Sequence, residues 1–157
     1  MSGKVSPIPQ GFRSVTPYLM VRGANKMIDF LKQAFGATEK ERHTATDGSI
    51  MHATVQVGDS MIMLGEAKGD CQPTSSSIYL YVPNVDATYQ RALSAGGKSE
   101  MELADQFWGD RSGSIQDPAG NRWWIATHKE DVSSEELKRR AEKFMAQHQS
   151  EQHKKAA

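Results

Sequence analysis

The sequence lacks most features of disulfide-rich, nucleic-acid-binding and membrane proteins. A single cysteine, Cys71, excludes an internal disulfide framework. Lysine plus arginine and aspartate plus glutamate number 19 each, so no net charge attracts nucleic acid or anionic lipid. No apolar run approaches the roughly 18 residues that span a bilayer, and no basic segment followed by an apolar one opens the chain. These absences predict a cytoplasmic protein with neither a nucleic-acid nor a membrane partner.

Common catalytic motifs are missing as well. The chain has no Gly-x-Ser-x-Gly nucleophile motif, no glycine-rich phosphate loop and no cysteine pair spaced for metal binding. At 157 residues it is long enough to bury a core without such supports. The organisation of the chain is more informative than any single motif.

An internal repeat runs through the chain. Segment 18–21 recurs as 79–82 and segment 34–37 recurs as 95–98, in both cases 61 residues later. A glycine turn before an apolar run, at 58–64, recurs at 120–126 with an offset of 62, which implies one inserted residue. A repeat of this kind predicts two similar modules with the functional site where they meet.

Each copy predicts the same order of elements: strand, helix, strand, strand, strand. In the first copy Gly36 ends the helix and Asp47-Gly48 marks a hairpin, and in the second copy Asn84 is the predicted N-cap. We expect an α+β fold in which two βαβββ modules form a cupped mixed sheet. The predicted parts are an N-terminal arm at 1–13, a first module at 14–68, a linker at 69–76, a second module at 77–130, and a C-terminal helix and tail at 131–157, the helix ending near residue 147.

A helix covers one face of each predicted sheet, and side chains alternate between the two faces. On the covered face we place Val15 and Leu19 of the first strand and Met51 and Ala53 of the third. The opposite face combines aromatic rings, methionines, hydroxyls, one histidine and one arginine, which is typical of a small-molecule pocket. The residues predicted to bind a ligand there are Tyr18, Met20, Met63, Tyr79, Tyr81, Arg122 and Trp124, with Trp108 and Arg111 on a loop over the mouth of the cup.

Two segments, Trp108-Gly109-Asp110-Arg111 and Asp117-Pro118-Ala119-Gly120, are the most specific motifs in the chain. Together with the segments 15–21, 50–53 and 124–131 they resemble the vicinal oxygen chelate superfamily of glyoxalases, bleomycin resistance proteins and extradiol dioxygenases, and within it the PhnB-like branch. The resemblance covers about residues 14–145. It implies paired βαβββ modules, a site inside the cup, and a cup commonly completed by homodimerisation.

The resemblance also bears on metal binding. Metal-dependent members of this superfamily carry His, Glu or Gln ligands on the first and fourth strands of each module, and the matching positions here are Thr16, Met63, Ser77 and Trp124. None of these side chains suits a divalent ion that prefers imidazole nitrogen or carboxylate oxygen. We therefore expect no cofactor and no metal at the usual positions, while a divalent metal at a displaced position remains an alternative.

His52 and Glu66 are the candidate catalytic residues. His52 is the only histidine within a predicted strand and faces the cup, which suits a general base or a ligand hydrogen bond. Its structural alternative is a hydrogen bond to backbone or to Glu66. Glu66, at the end of its strand, is a candidate for orienting His52 or accepting a substrate proton, and its alternative is a solvated loop carboxylate.

The two candidate arginines have alternatives of the same kind. Arg122 is placed to pair with a ligand carboxylate or phosphonate while Trp124 stacks on the ligand, or else to extend along the sheet edge. Arg111 either contacts the ligand or holds its loop through an ion pair with Asp110 or Asp117.

Three functions fit this pattern. The first is a metal-independent small-molecule-binding protein of the glyoxalase/bleomycin-resistance type, a homodimer with an apolar or aromatic ligand in its cup. The second is a metal-dependent lyase, isomerase or dioxygenase that uses His52 and Glu66. The third is an antibiotic-sequestering resistance protein. The residues at the usual metal positions favour the first.

Overall fold

The computed structural model describes residues 5–155, and its elements follow the predicted order. The first module contains β1 (Tyr18–Val21), α1 (Ala24–Phe35), β2 (Thr38–Thr44), β3 (Ile50–Val57) and β4 (Ser60–Glu66). The second module contains β5 (Ser77–Tyr81), α2 (Val85–Ser94), β6 (Lys98–Asp105), β7 (Asp110–Gln116) and β8 (Arg122–His128). The chain then forms α3 (Ser134–Lys155).

Each module folds into its own four-stranded mixed sheet. The strand orders are β1-β4-β3-β2 and β5-β8-β7-β6, and in both sheets the first strand runs parallel to the fourth. This arrangement confirms the predicted α+β fold with two βαβββ modules. In the parallel pairs Tyr18 lies opposite Met63 and Tyr79 lies opposite Trp124, so the strands keep the 61-residue offset. The glycine turns before β4 and β8 differ by 62 positions, but the residues that pair in these strands differ by 61.

Local signals set the ends of the module helices as predicted. Gly36 follows α1 with φ of 66°, a left-handed conformation that glycine adopts without a Cβ clash. The Asn84 side chain accepts a hydrogen bond from the backbone N–H of Ala87 and so caps α2. The two helices pack against each other and against one face of each sheet. A single core therefore joins the modules, with the Phe35 ring 4.8 Å from the Trp123 ring.

Two residues placed on the covered face by the alternation argument are exposed. Val15 is 86% exposed because β1 begins only at Tyr18, three residues later than predicted. Met51 is 66% exposed, whereas its neighbour Ile50 is buried. The cause is a β-bulge, since His43 pairs with His52 and Thr44 with Ile50, which leaves Met51 without an opposing residue.

The helix α3 lies beyond the repeat. The Ser133 hydroxyl accepts a hydrogen bond from the Glu136 backbone N–H, which confirms the predicted start, and the helix continues to Lys155, past its predicted end. The Phe144 ring contacts the Phe107 ring at 5.1 Å, and Arg140 pairs with Glu130 at 2.8 Å. These contacts attach α3 to the loop before β7 and to the segment that follows β8. Within residues 5–155, no helix is both long and apolar enough to cross a membrane.

Candidate functional site

The sheet faces opposite the helices carry most of the predicted ligand-binding residues. We call these two surfaces the open faces. The open face of module 1 contains Tyr18, Met20, His43, His52, Thr54 and Met63, and the open face of module 2 contains Tyr79, Tyr81, Asp110, Ser112, Trp124 and His128. Tyr18, Tyr79 and Tyr81 are exposed there, since no other element in the described part of the chain covers them.

His52 lies on the open face of module 1, as predicted, and has partners that the sequence did not indicate. Its Nδ1 lies 3.3 Å from the Tyr18 hydroxyl and its Nε2 lies 3.2 Å from the hydroxyl of the buried Thr54. The expectation that His52 is the only strand histidine is wrong, because His43 in β2 lies beside it with ring centroids 6.4 Å apart. His43 in turn contacts Glu41 at 2.7 Å.

Glu66 points away from His52, to the covered face. One carboxylate oxygen accepts a hydrogen bond from the backbone N–H of Gly23 and the other from that of Ala24, both at 2.8 Å. These N–H groups lie at the start of α1, where no intrahelical acceptor exists. Glu66 therefore caps α1 from β4, and the structure gives it no part in orienting His52.

Removing this cap should destabilise the fold without changing the open face. We expect Glu66→Ala to lower the free energy of unfolding by about 1–2 kcal/mol, because two backbone donors lose their acceptor. Glu66→Gln, which keeps one acceptor oxygen, should lose less. Urea denaturation measures both, with the His52 ring resonances as the control. A shift of those resonances at unchanged stability would contradict the capping role.

Asp110 is the centre of the hydrogen-bond network on the open face of module 2, and only 3% of it is exposed. One of its oxygens accepts hydrogen bonds from the hydroxyls of Tyr79 at 2.9 Å and Tyr81 at 3.0 Å, and from the Trp108 indole at 3.2 Å. The other oxygen contacts Nδ1 of His128 at 2.8 Å. The sequence reasoning placed Tyr79, Tyr81 and Trp108 in the site but missed the carboxylate that joins them.

The network changes the acid–base properties of its members. Burial alone would raise the pKa of Asp110, but the hydrogen bonds from His128, the tyrosines and Trp108 outweigh it and hold this pKa below its usual value. The hydrogen bond to Asp110 raises the pKa of Tyr81 to about 12. His128 is held between Asp110 and Asp131, and these two carboxylates raise its pKa. The ring therefore keeps its second proton to a higher pH than a free histidine does.

The raised pKa of His128 predicts a pH-dependent contribution to stability. Because the folded-state pKa lies above the unfolded value near 6.5, the contribution is fully present below about pH 6.5 and is lost as the pH rises through the folded-state pKa. NMR titration of the His128 ring should give a midpoint above that of a model peptide. His128→Gln should remove this part of the pH dependence of unfolding, and an unchanged profile in the variant would contradict the assignment.

Arg111 lies on the other face of its strand from Asp110. The sequence placed residues 108–111 in a loop, whereas β7 begins at Asp110, and neighbouring strand residues point to opposite faces. Arg111 pairs with Asp86 of α2 at 2.8 Å and with Asp105 at 3.4 Å. Both predicted partners, Asp110 and Asp117, are therefore wrong, and the arginine does not line the open face.

Arg122 and Trp124 lie next to each other on the open face of module 2. The Arg122 guanidinium lies 5.9 Å from the centroid of the Trp124 ring and pairs with Glu100 at 2.5 Å. Trp124 stacks on Tyr79 with ring centroids 6.5 Å apart and an interplanar angle of 13°. Arg122 thus already has a carboxylate partner within the chain.

The strand pairing allows the four superfamily metal positions to be compared with the residues that occupy them. Met63 and Trp124 hold equivalent places opposite Tyr18 and Tyr79, and the Trp124 indole donates to the Ser77 hydroxyl at 3.3 Å. A thioether, an indole and two hydroxyls from Thr16 and Ser77 do not form a donor set that suits a divalent ion. In the described part of the chain, no three His, Cys, Asp or Glu side chains are grouped so that they could hold a metal ion.

A cavity of about 260 Å³ opens at the seam between the modules. Its walls are mostly apolar and come from both modules, among them Met61, Ile62, Ile78 and Trp123, with Arg13 from the segment before β1. Tyr79 lines this cavity and also belongs to the open face of module 2. The cavity therefore adjoins the open face at Tyr79.

Comparison with known proteins agrees with this architecture. Residues 13–125 match the family model of the glyoxalase/bleomycin resistance protein/dioxygenase superfamily. An uncharacterized protein of Mycobacterium bovis is 35% identical over 135 residues, which cover 79% of this chain and 89% of the relative.

Two solved structures illustrate the shared fold. TioX from Micromonospora sp. ML1 is 24% identical with a TM-score of 0.61, over 73% of this chain and 99% of TioX. A PhnB protein from Bacillus cereus, described as a putative 3-demethylubiquinone-9 3-methyltransferase, is 17% identical with a TM-score of 0.58, over 73% and 99% of the two chains. Identities this low show the fold alone. From the family match and the 35% identical relative, the chain belongs to the glyoxalase/bleomycin resistance protein/dioxygenase superfamily.

Proposed function

We propose that this chain is a metal-independent small-molecule-binding protein that holds an apolar or aromatic ligand against its open faces. The observation that carries the proposal is the set of aromatic side chains left uncovered there. Tyr81 is 60% exposed, Tyr18 and Tyr79 are also exposed, and Trp124 stacks beside them. Aromatic surface of this extent is unusual on a face with no partner and typical of a ligand site.

A second copy of the chain is the proposed partner that turns the open faces into a cup. In a single chain the rings of Tyr18, Tyr79 and Tyr81 remain in contact with solvent. Burial of such surface is the main source of free energy for protein association. Sedimentation at micromolar concentration should give a dimer for the unaltered protein, and Tyr81→Asp should weaken it. A monomer at all concentrations would overturn this part of the proposal.

Metal independence is proposed from the chemistry of the donor positions. Thr16, Met63, Ser77 and Trp124 offer no imidazole or carboxylate ligand, and Glu66 is committed to capping α1. Binding of an aromatic probe should therefore be the same before and after treatment with a chelator. Stoichiometric zinc, iron, manganese or nickel that disappears in His52→Ala would overturn this proposal and favour a metal-dependent enzyme.

The place of binding is tested by a matched pair of variants. Titration with Nile red, an uncharged dye whose fluorescence rises on apolar surfaces, should give weaker binding for Trp124→Ala on the open face. Phe144→Ala on α3 removes another exposed aromatic ring and should leave binding unchanged. Equal effects of the two substitutions would show that the dye binds exposed aromatic surface in general and would contradict the proposed site.

A further inference from the structure

The charge of the open face of module 2 is set by Asp110. All the hydrogen bonds described for its carboxylate come from two phenols, one indole and one imidazole, so no lysine or arginine in the described chain is bonded to it. Among the described residues, the one basic side chain bonded to it is His128, and that ring also contacts Asp131 at 2.9 Å. Even when this ring is protonated, one positive charge between two carboxylates leaves the cluster with a net negative charge.

The two arginines nearest to this cluster in the sheet do not cancel that charge. Arg111 follows Asp110 directly but points to the covered face, where it pairs with Asp86 and Asp105. Arg122 lies on the open face, but its guanidinium is paired with Glu100 through two hydrogen bonds at 2.5 and 3.3 Å. The surface that a ligand meets is therefore negative around Asp110 and close to neutral at Arg122.

The groups above Asp110 are suited to contact a cation. Tyr79 and Tyr81 direct their hydroxyl protons to the carboxylate, so the hydroxyl oxygen of the exposed residue Tyr81 can serve a ligand only as a hydrogen-bond acceptor. The rings of Tyr79, Tyr81 and Trp124 lie on the same face, with 5.1 Å between the two tyrosine centroids. Aromatic faces carry negative electrostatic potential and attract organic cations, most strongly where water is excluded.

From these contacts we propose that the ligand of this site carries a positive charge, in the form of a protonated amine or a quaternary ammonium group, seated over Tyr81 and the Asp110 network. The inference rests on the proposed ligand-binding function and adds its charge class. Both oxygens of Asp110 already accept hydrogen bonds from protein groups, so Asp110 acts on the ligand by positioning the tyrosines and not by direct contact. Tyr81 and the neighbouring rings make the direct contacts.

The test uses three probes of one shape and different charge: para-trimethylammonio-benzyl alcohol, its neutral isostere para-tert-butylbenzyl alcohol, and the anionic para-sulfobenzyl alcohol. Binding to the full chain is followed by the NMR signals of the indole N–H groups. Trp108 and Trp124 report on the open face, and the buried Trp123 on the covered face is an internal control. We expect the cationic probe to shift the first two signals and to bind about tenfold more tightly than the neutral isostere.

Two variants show whether the preference for the cationic probe comes from the charge of the Asp110 cluster or from the overall charge of the protein. Asp110→Asn should abolish the preference for the cationic probe, whereas Asp105→Asn, which removes an equal charge from an exposed position on the covered face, should keep it. If Asp110→Asn does not fold, as judged from the Trp123 signal, the comparison of the three probes on the unaltered chain decides alone. Rising salt should weaken the preference in that comparison.

The outcomes distinguish this inference from the proposed function. Binding of all three probes with equal affinity, or tightest binding of the anion, would overturn the cationic ligand and leave the aromatic site intact. If none of the three shifts the Trp108 or Trp124 signals, the proposed function itself fails. A cation preference that persists in a folded Asp110→Asn protein would contradict the role given to Asp110.

Discussion

Replacing Trp123 by alanine should lower the free energy of unfolding by about 3–5 kcal/mol, the range for large aromatic side chains in a protein core. Trp123 is 0% exposed and lies at the junction of the two modules, where its ring contacts Phe35 of α1. Its indole N–H also donates to the buried carboxylate of Asp117 at 2.8 Å. The alanine variant would therefore lose packing between the modules and leave a buried carboxylate with one donor fewer.

Chemical denaturation measures this effect, and the neighbouring tryptophan is the matched control. Trp124→Ala removes the same side chain from a partly exposed position on the open face and should cost about 1 kcal/mol. Trp123→Phe keeps an aromatic ring but loses the hydrogen bond to Asp117. Its loss of unfolding free energy should therefore lie between those of the two alanine variants. Equal losses for the two tryptophan-to-alanine variants would show that Trp123 does not join the modules.

Gly109→Ala should have the second largest effect and lower the free energy of unfolding by about 3 kcal/mol or more. The φ angle of Gly109 is +99°, where an alanine costs about 1–2 kcal/mol. A Cβ at this position would also overlap the carbonyl oxygen of Glu130 and press against Val132. Overpacking of this kind adds about 1–3 kcal/mol.

The segment around Gly109 links the Asp110 network to α3. The Gly109 carbonyl accepts hydrogen bonds from the backbone N–H groups of Lys129 and Glu130, so displacement of Gly109 would also move His128 and Asp131. Gly120→Ala is the control, because its φ is +91° but open space surrounds it. We expect Gly120→Ala to be destabilised only by the cost of the left-handed backbone conformation. Thermal unfolding compares the two variants, and equal losses would exclude the steric contribution.

Sequence reasoning succeeded where the signal is local. The repeat predicted the two modules, and Gly36 and Asn84 predicted a helix end and a helix start, because each of these depends on the conformation of a few adjacent residues. The open-face placement of Tyr18, Tyr79 and Trp124 followed from strict alternation along short strands. No partner strand had to be known for these predictions.

The failures share a different cause. Met51 is exposed because β2 pairs with β3 through a bulge, and Glu66 caps α1 because of groups more than forty positions away along the chain. The contact between Asp110 and His128 depends on the register of β7 with β8, in which these two residues lie opposite each other. Pairing of this kind is decided by tertiary packing, and single-sequence patterns do not contain it. With the register of β7 and β8 in hand, the sequence is enough to place His128 opposite Asp110.

Tyr18 and Tyr79 occupy equivalent positions in the repeat, yet their hydroxyls contact different groups. Tyr18 lies 3.3 Å from an imidazole nitrogen of His52, and Tyr79 lies 2.9 Å from the carboxylate of Asp110. A cup made of two identical halves would accept an elongated molecule in either of two directions with equal affinity. Here the duplicated tyrosines contact an imidazole in one half and a carboxylate in the other, which removes that degeneracy. In a cup that joins one face of each kind, the ligand would bind in a single direction, with its donor-rich end toward module 2.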